Sequence, residues 1–144
     1  MQPEPKMDQP ISSLIEGDAI VTVDCDDTMD KVETMLRLHN VTYVPVLDAD
    51  GRIFGIITAR DMINFHASHK PAKAVRAWEV CTHKTVEVSP HKPVQDVAQM
   101  MVDHHIHHVL VSDDGIFKGV ISSFDIVEKY MLRNMLAMQR AVTA

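Results

Sequence analysis

Hydrophobic and polar positions alternate along this chain in a pattern that is written twice. Short β-branched runs at AIVTV (19–23), YVPVL (43–47) and RIFGII (52–57) are matched by KTVEV (84–88), HVLVS (108–112) and IFKGVI (116–121). Runs of this length, bounded by Gly, Asp and Asn, predict strands. After the first run of each set the apolar period lengthens to that of a helix. Met29, Val32, Met35 and Leu36 fall on one face, as do Val94, Val97, Met100 and Met101. Asp27 or Thr28 can cap the first helix, and Pro93 suits the first turn of the second. The second run then reaches an Asp…Gly turn leading straight into the third, which makes a β-hairpin. A final helix begins at Thr58 or Ser122. The predicted order is β-α-β-β-α, twice.

An offset of 65 residues, reduced to 64 after Asp50, brings the copies into register. The identical pairs are Val21/Val86, Val23/Val88, Val32/Val97, Met35/Met100, His39/His104, Val44/Val109, Val46/Val111, Asp48/Asp113, Gly51/Gly115, Gly55/Gly119, Ile57/Ile121 and Asp61/Asp125. The domain organisation expected from this is a flexible N-terminal tail (1–10), repeat 1 (11–65), a polar linker (66–75), repeat 2 (76–130) and a C-terminal helical extension (131–144). Each repeat alone leaves an apolar sheet face uncovered, and packing one on the other buries both. The fold class is therefore α/β (α+β), with two repeats related by a pseudo-two-fold axis. In that arrangement the corners Thr58–Asp61 and Ser122–Asp125 border a shared cleft. By itself, a hydroxyl followed three residues later by an acid is a helix-capping box.

Composition removes several classes of function. The 144 residues carry 14 Lys plus Arg against 20 Asp plus Glu, a net charge of −6, so nucleic acid is an unlikely partner. Cys25 and Cys81 lie in no CxxC and imply reduced thiols in a cytoplasmic protein. The polar, Pro-rich start MQPEPKMDQP is unlike a secretory signal, and no apolar run approaches the ~20 residues that span a bilayer. No nucleophile–base arrangement or phosphate-binding Gly loop is visible among only 5 glycines, so enzymatic activity is not expected.

The doubled unit, with VTYVPVLDADGRIFGIITARD and HHVLVSDDGIFKGVISSFD, resembles a tandem pair of CBS domains, named for cystathionine β-synthase. The resemblance runs from about Ile11 to Tyr130. It implies a regulatory module that binds an adenosine-containing ligand (AMP, ADP, ATP, S-adenosylmethionine or NAD) in clefts between the repeats and signals occupancy to a partner protein. The nucleotide or S-adenosylmethionine is then a regulatory ligand, and no cofactor is required. The chemistry of the corners suits this. A helix N-terminus favours phosphate. Thr58 or Ser122 adds a hydroxyl donor, and Asp61 or Asp125 accepts from ribose hydroxyls. The resemblance further implies that Thr58, Arg60 and Asp61 work with Thr85, Val86, His107, His108 and Leu110. Ser122 and Asp125 would work with Ile20, Val21, Thr42, Tyr43 and Pro45. Leu110 departs from the family, which more often has Pro there. Arg60, where the second corner has Phe124, makes the Asp61 site the better expected phosphate binder.

Three other signals complete the reading. HHIHH (104–108) invites a metal-sensing alternative, but these side chains straddle a helix end and a strand start, so no metal site is assigned. DADG (48–51) fails as a calcium loop, because Val46 and Ile57 would occupy ligand positions. Ile126, Val127, Tyr130, Met131, Met135 and Met138 form an apolar stripe on a C-terminal helix that outlasts the repeat. The stripe points to a homodimer, and a non-binding dimerisation scaffold is the main alternative function. The identity of the regulated protein is not encoded in any recognisable motif.

Overall fold

The computed structural model of this chain describes residues 9–15 and 20–143. It divides into two compact units. The first comprises the described residues of Ala19–Thr85 together with Asp114–Phe117, and the second the described residues before 19, Val86–Asp113 and those from Lys118 onward. The predicted N-terminal tail falls largely on residues 1–8, outside the described residues, and so does Ala19 of the predicted first strand.

In the first unit the elements are β1 (Val23–Asp24), α1 (Met29–Leu38), β2 (Tyr43–Leu47), β3 (Ile53–Thr58), α2 (Ala59–Ala67) and a short α3 (Ala77–Val80). β1 runs parallel to β2 with Val23 opposite Val46, and β3 returns antiparallel with Tyr43 opposite Thr58. The second unit opens on a 3₁₀ turn (Ile11–Leu14) and continues with β4 (Glu87–Val88), α4 (Val94–His104), β5 (His108–Asp113), β6 (Ile116–Ser122) and α5 (Ser123–Ile126). The last helix passes through a π-helical stretch (Val127–Leu132) into α6 (Arg133–Thr143). Each unit holds a three-stranded sheet, ordered β1-β2-β3 or β4-β5-β6.

The two cores use equivalent positions. Val23, Met29, Val32, Val44, Val46 and Ile57 are buried in the first, and Val88, Val94, Val97, Val109, Val111 and Ile121 in the second. Gly51 and Gly115 adopt φ of 78° and 80° in the hairpin turns, a conformation that disfavours any side chain. Gly55 and Gly119 are needed for a different reason. A Cβ on Gly55 would lie 2.7 Å from the Thr82 carbonyl oxygen and 2.8 Å from Cys81 Sγ, and one on Gly119 would lie 3.0 Å from Ile15 Cδ1. In both units the stretch preceding a first strand crosses directly over this glycine.

Three local expectations need correction. The first strands are two residues long rather than five, and Ile20, Val21, Thr85 and Val86 precede them as irregular chain. The ladders pair only Val23 and Asp24 with β2 and Glu87 and Val88 with β5, and of these Val23 and Val88 are buried in the cores. Thr28 is the N-cap of α1 but makes no capping bond, since its hydroxyl donates to the Asp30 carboxylate instead. The linker is less polar in structure than in composition. Val75 is buried in the first core, Met29 N–H donates to the Val75 carbonyl at 2.9 Å, and Ala77 N–H donates to that of Asp27 at 2.8 Å.

Candidate functional site

Each β3-like strand ends on a hydroxyl residue whose extended backbone (ψ 173° at Thr58, 162° at Ser122) turns directly into a helix. The turn exposes the first N–H groups of that helix, which an α-helix cannot satisfy internally. Both corners close as capping boxes. Thr58 N–H donates to Asp61 Oδ2 at 2.9 Å, and Ser122 N–H donates to Asp125 Oδ2 at 2.8 Å. In return Asp61 N–H reaches Thr58 Oγ1 at 3.5 Å, and Asp125 N–H reaches Ser122 Oγ at 3.0 Å. The capping role and a ligand role use different parts of the carboxylate, because one oxygen suffices for the cap and the other remains for a further donor.

That other oxygen is treated differently in the two units. Asp61 Oδ1 accepts from Thr82 Oγ1 at 2.9 Å, while Thr58 Oγ1 adds a bond to Oδ2 at 3.1 Å. Thr82 is fixed by a two-way backbone bridge to Ile56, with bonds of 3.0 and 2.8 Å. Asp125 Oδ1 has Lys129 Nζ at 3.9 Å, and that ammonium also donates to the Leu14 carbonyl at 3.1 Å. Thr82 is the partner of the Asp61 carboxylate that sequence reasoning missed. It lies 21 residues from Asp61, outside the aligned block, so only its neighbourhood of the second first-strand could have pointed to it.

Around the first corner, Tyr43 stands opposite Thr58 and the buried Pro45 opposite Ile56, so β2 lays both beside the motif. Thr42 is exposed at the entry to β2 and Val21 packs against the first core, whereas Ile20 is exposed. Arg60 projects from the first turn of α2 and is exposed, with no hydrogen bond or ion pair among the described residues. Thr85 belongs to this unit as well. A cavity of about 220 Å³ flanks α2, lined by residues that include Asp61, Phe65, Lys70, Val75 and Glu79. It falls below the ~300 Å³ at which pockets for drug-sized ligands begin.

Around the second corner the unit gathers Val86, His107, His108, Leu110, Ser122 and Asp125. The His107 carbonyl accepts from Ser123 N–H at 2.9 Å, and the Val86 carbonyl from Leu110 N–H at 2.9 Å. Leu110 is 2% exposed, so its side chain serves the core. Burial pushes the His108 imidazole pKa down, His107 adds to this, and Asp125 pulls the other way. Phe124 takes the place of Arg60 and is 68% exposed. His104 ends α4 and His105 follows in a left-handed turn, φ 52°. Among the described residues, no group of three His, Cys, Asp or Glu side chains is placed to hold a metal ion, and no helix is long and apolar enough to cross a membrane.

The chain is 23% identical over 112 residues to the CBS domain-containing protein YhcV of Bacillus subtilis, covering 78% of this chain and 79% of that one. It superimposes on the CBS domain pair of protein MJ0100, solved in complex with 5′-methylthioadenosine and S-adenosyl-L-methionine. There the TM-score is 0.74 and the identity 25%, over 87% of this chain and 98% of that one. The CBS domain protein PAE2072 from Pyrobaculum aerophilum, complexed with AMP, shares the fold with a TM-score of 0.76 at 23% identity, over 90% and 98% of the two chains. Several longer enzymes also match, and this chain spans about a fifth of their length. The CBS domain pattern itself matches residues 13–68 and 77–132. This chain belongs to the CBS-domain family and carries a tandem pair of those domains.

Proposed function

We propose that this chain is a cytoplasmic regulatory module that binds an adenosine-containing ligand at its strand-to-helix corners and passes occupancy to a partner protein, without catalysing a reaction. The observation that carries this is the doubled corner. In both units a hydroxyl residue, a helix N-terminus and an aspartate whose second oxygen is not used by the cap meet within one turn of chain, and at the first corner Thr82 donates to that oxygen. A phosphate or other electron-rich group is favoured at the N-terminus, and ribose hydroxyls suit the carboxylate. The likeness to a CBS pair solved with 5′-methylthioadenosine and S-adenosyl-L-methionine supports the ligand class. Arg60 supports phosphate at the first corner, where it supplies a cation that Phe124 does not. Transmission follows from differential affinity, since a ligand shifts only those states it distinguishes.

The test is a thermal-shift panel of AMP, ADP, ATP, S-adenosylmethionine and NAD on the full chain, repeated on Asp61→Ala and Asp125→Ala. A ligand at a hundredfold excess over its Kd adds about 2.7 kcal/mol of stability, several degrees in a domain of this size. A shift with one adenosine ligand, reduced in one or both variants, is the expected result. A flat panel leaves the family and fold in place and removes the ligand, leaving a dimerisation scaffold as the function.

A further inference from the structure

The cavity beside α2 lies wholly within the first unit, and neither Thr58 nor Arg60 borders it. Asp61, Asn64 and Phe65, at helical spacing, present one face of α2 to it. Val75, Glu79 and Val80 form the wall contributed by the linker and α3, and Lys70 stands at its edge. The walls stay apart because α3 is tied to other parts of the unit. Ala77 N–H donates to the Asp27 carbonyl at 2.8 Å, and Trp78 N–H to that of Cys25 at 3.1 Å. The space of about 220 Å³ equals about seven water volumes, in an interior that is otherwise close-packed.

Its polar groups are unequally committed. Asp61 is engaged by Thr58 and Thr82, so its carboxylate is already supplied with donors. One Glu79 oxygen accepts from Arg76 N–H at 2.7 Å, which leaves the other for a ligand. The Lys70 ammonium and the Asn64 side-chain amide make no hydrogen bond or ion pair with the described residues. Between these groups lie the buried Phe65 and Val75 and the half-buried Val80.

We propose that this cavity binds a free α-amino acid with an apolar side chain. Lys70 pairs with its carboxylate, Glu79 with its ammonium, and Phe65, Val75 and Val80 take its side chain. A simple anion would face the Glu79 and Asp61 carboxylates, and a simple cation would face Lys70. A wholly apolar molecule would strip water from Lys70, Asn64 and Glu79 without replacing its hydrogen bonds. A zwitterion with an apolar body meets both charges at once, and each of the resulting hydrogen bonds is charge-assisted.

The inference does not rest on a ligand at the corners. A flat nucleotide panel leaves it standing, and its own failure leaves the nucleotide reading standing. Trp78, the chain's single tryptophan, adjoins Glu79 on α3 and supplies the readout. The full chain is titrated by fluorescence with L-leucine, and with leucinamide, 4-methylpentanoate and glycine, which lack in turn the carboxylate, the ammonium and the side chain. L-leucine should give a saturable change with a dissociation constant below about 1 mM. Each comparator, and each of the variants Lys70→Met and Glu79→Gln, should bind at least about tenfold more weakly, with far-UV spectra unchanged. No saturable response to L-leucine would mean that the cavity holds water only, and would overturn the assignment. So would comparators that bind as tightly as L-leucine, or variants that bind it unimpaired. The same zwitterionic group ends S-adenosylmethionine, which is therefore titrated as well. A response to it and none to L-leucine would give the cavity to the tail of a corner ligand and overturn a site for free amino acids.

Discussion

The Thr58–Asp61 and Ser122–Asp125 corners share one backbone plan and place it in different surroundings. Both end a strand on a hydroxyl and close a capping box with an aspartate three residues on. At the first, three donors already converge on the carboxylate: Thr58 N–H, Thr58 Oγ1 and Thr82 Oγ1. At the second, one backbone N–H is joined by an ammonium at 3.9 Å. The exposed residue beside the aspartate is a cation in one and a phenyl ring in the other. A capping motif thus fixes where an aspartate sits, and neighbours contributed from elsewhere in each unit decide what it is able to accept. The first corner combines a crowded carboxylate with a cation suited to phosphate. The second offers a less occupied carboxylate and an aromatic face.

The crossing glycines give the largest expected contrast between the units. Alanine at Gly55 would press on the Thr82 carbonyl, which the Ile56 bridge holds in place, and on Cys81 Sγ. Alanine at Gly119 would meet Ile15 Cδ1 at 3.0 Å and Cγ2 at 3.3 Å, side-chain atoms rather than a held backbone carbonyl. Gly55→Ala should therefore cost about 2–3 kcal/mol and Gly119→Ala about 1 kcal/mol or less, by urea unfolding. Equal costs would mean that the two crossings are equally yielding. Next in size is an exchange of the exposed neighbours. Arg60→Phe should lower the preference for AMP over adenosine about tenfold, and Phe124→Arg should raise it, equivalent to about 1.4 kcal/mol at a solvent-exposed charge. Titration calorimetry measures both. If neither variant changes the preference, the cation plays no part in ligand choice.

Much of this was legible in the residues. The 65-residue offset, reduced to 64 after Asp50, aligned six pairs of core positions, because burial imposes the same apolar demand on both copies. Gly51 and Gly115 were legible as turn residues, since their left-handed φ follows from an Asp…Gly hairpin. The repetition of Gly55 and Gly119 was visible, but its cause was not, because the crowding comes from segments distant in sequence. Thr82 was invisible for the same reason. Val75 was lost in a polar stretch, where one valine among lysines and histidines gives no periodicity. The first strands were drawn too long because alternation continues past the two residues that pair. Nor does periodicity register a π-helical stretch, which breaks the helix repeat by less than one turn while turning the apolar stripe away from the core.

Thr82→Val tests whether the crowding at Asp61 matters. The variant keeps the shape and removes the donor to Oδ1. A single hydrogen bond at an exposed site contributes about 1 kcal/mol or less to stability, so a loss of that size is expected. The informative measurement is ligand affinity at the first corner. If Thr82 occupies an acceptor position that ribose hydroxyls need, its removal should tighten binding there a few-fold while leaving the Asp125 corner unchanged. If binding weakens instead, Thr82 orients Asp61 for the ligand, and the two corners differ in preorganisation rather than in competition.

The smallest expected difference is in pH dependence, and it arises from one equivalent pair. Tyr43 opens β2 in the first unit, and His108, at the matching position, opens β5 in the second. Burial, followed by the neighbouring His107, lowers the His108 pKa from its ordinary value of 6.5, against an opposing pull from Asp125. The folded chain therefore holds the imidazole neutral more firmly than the unfolded chain does. Between the two pKa values the unfolded state binds more protons, so the stability contributed by His108 is present above about pH 6.5 and is lost as pH falls toward the folded value. A phenol undergoes no comparable change between pH 5 and 8. His108→Tyr should consequently flatten the decline in unfolding midpoint between pH 7.5 and 5.5 relative to wild type, making the second unit behave as the first does. An unchanged slope would show that the imidazole is as readily protonated in the folded chain as in the unfolded one, and the asymmetry between the corners would then reside in Arg60, Phe124, Thr82 and Lys129 alone.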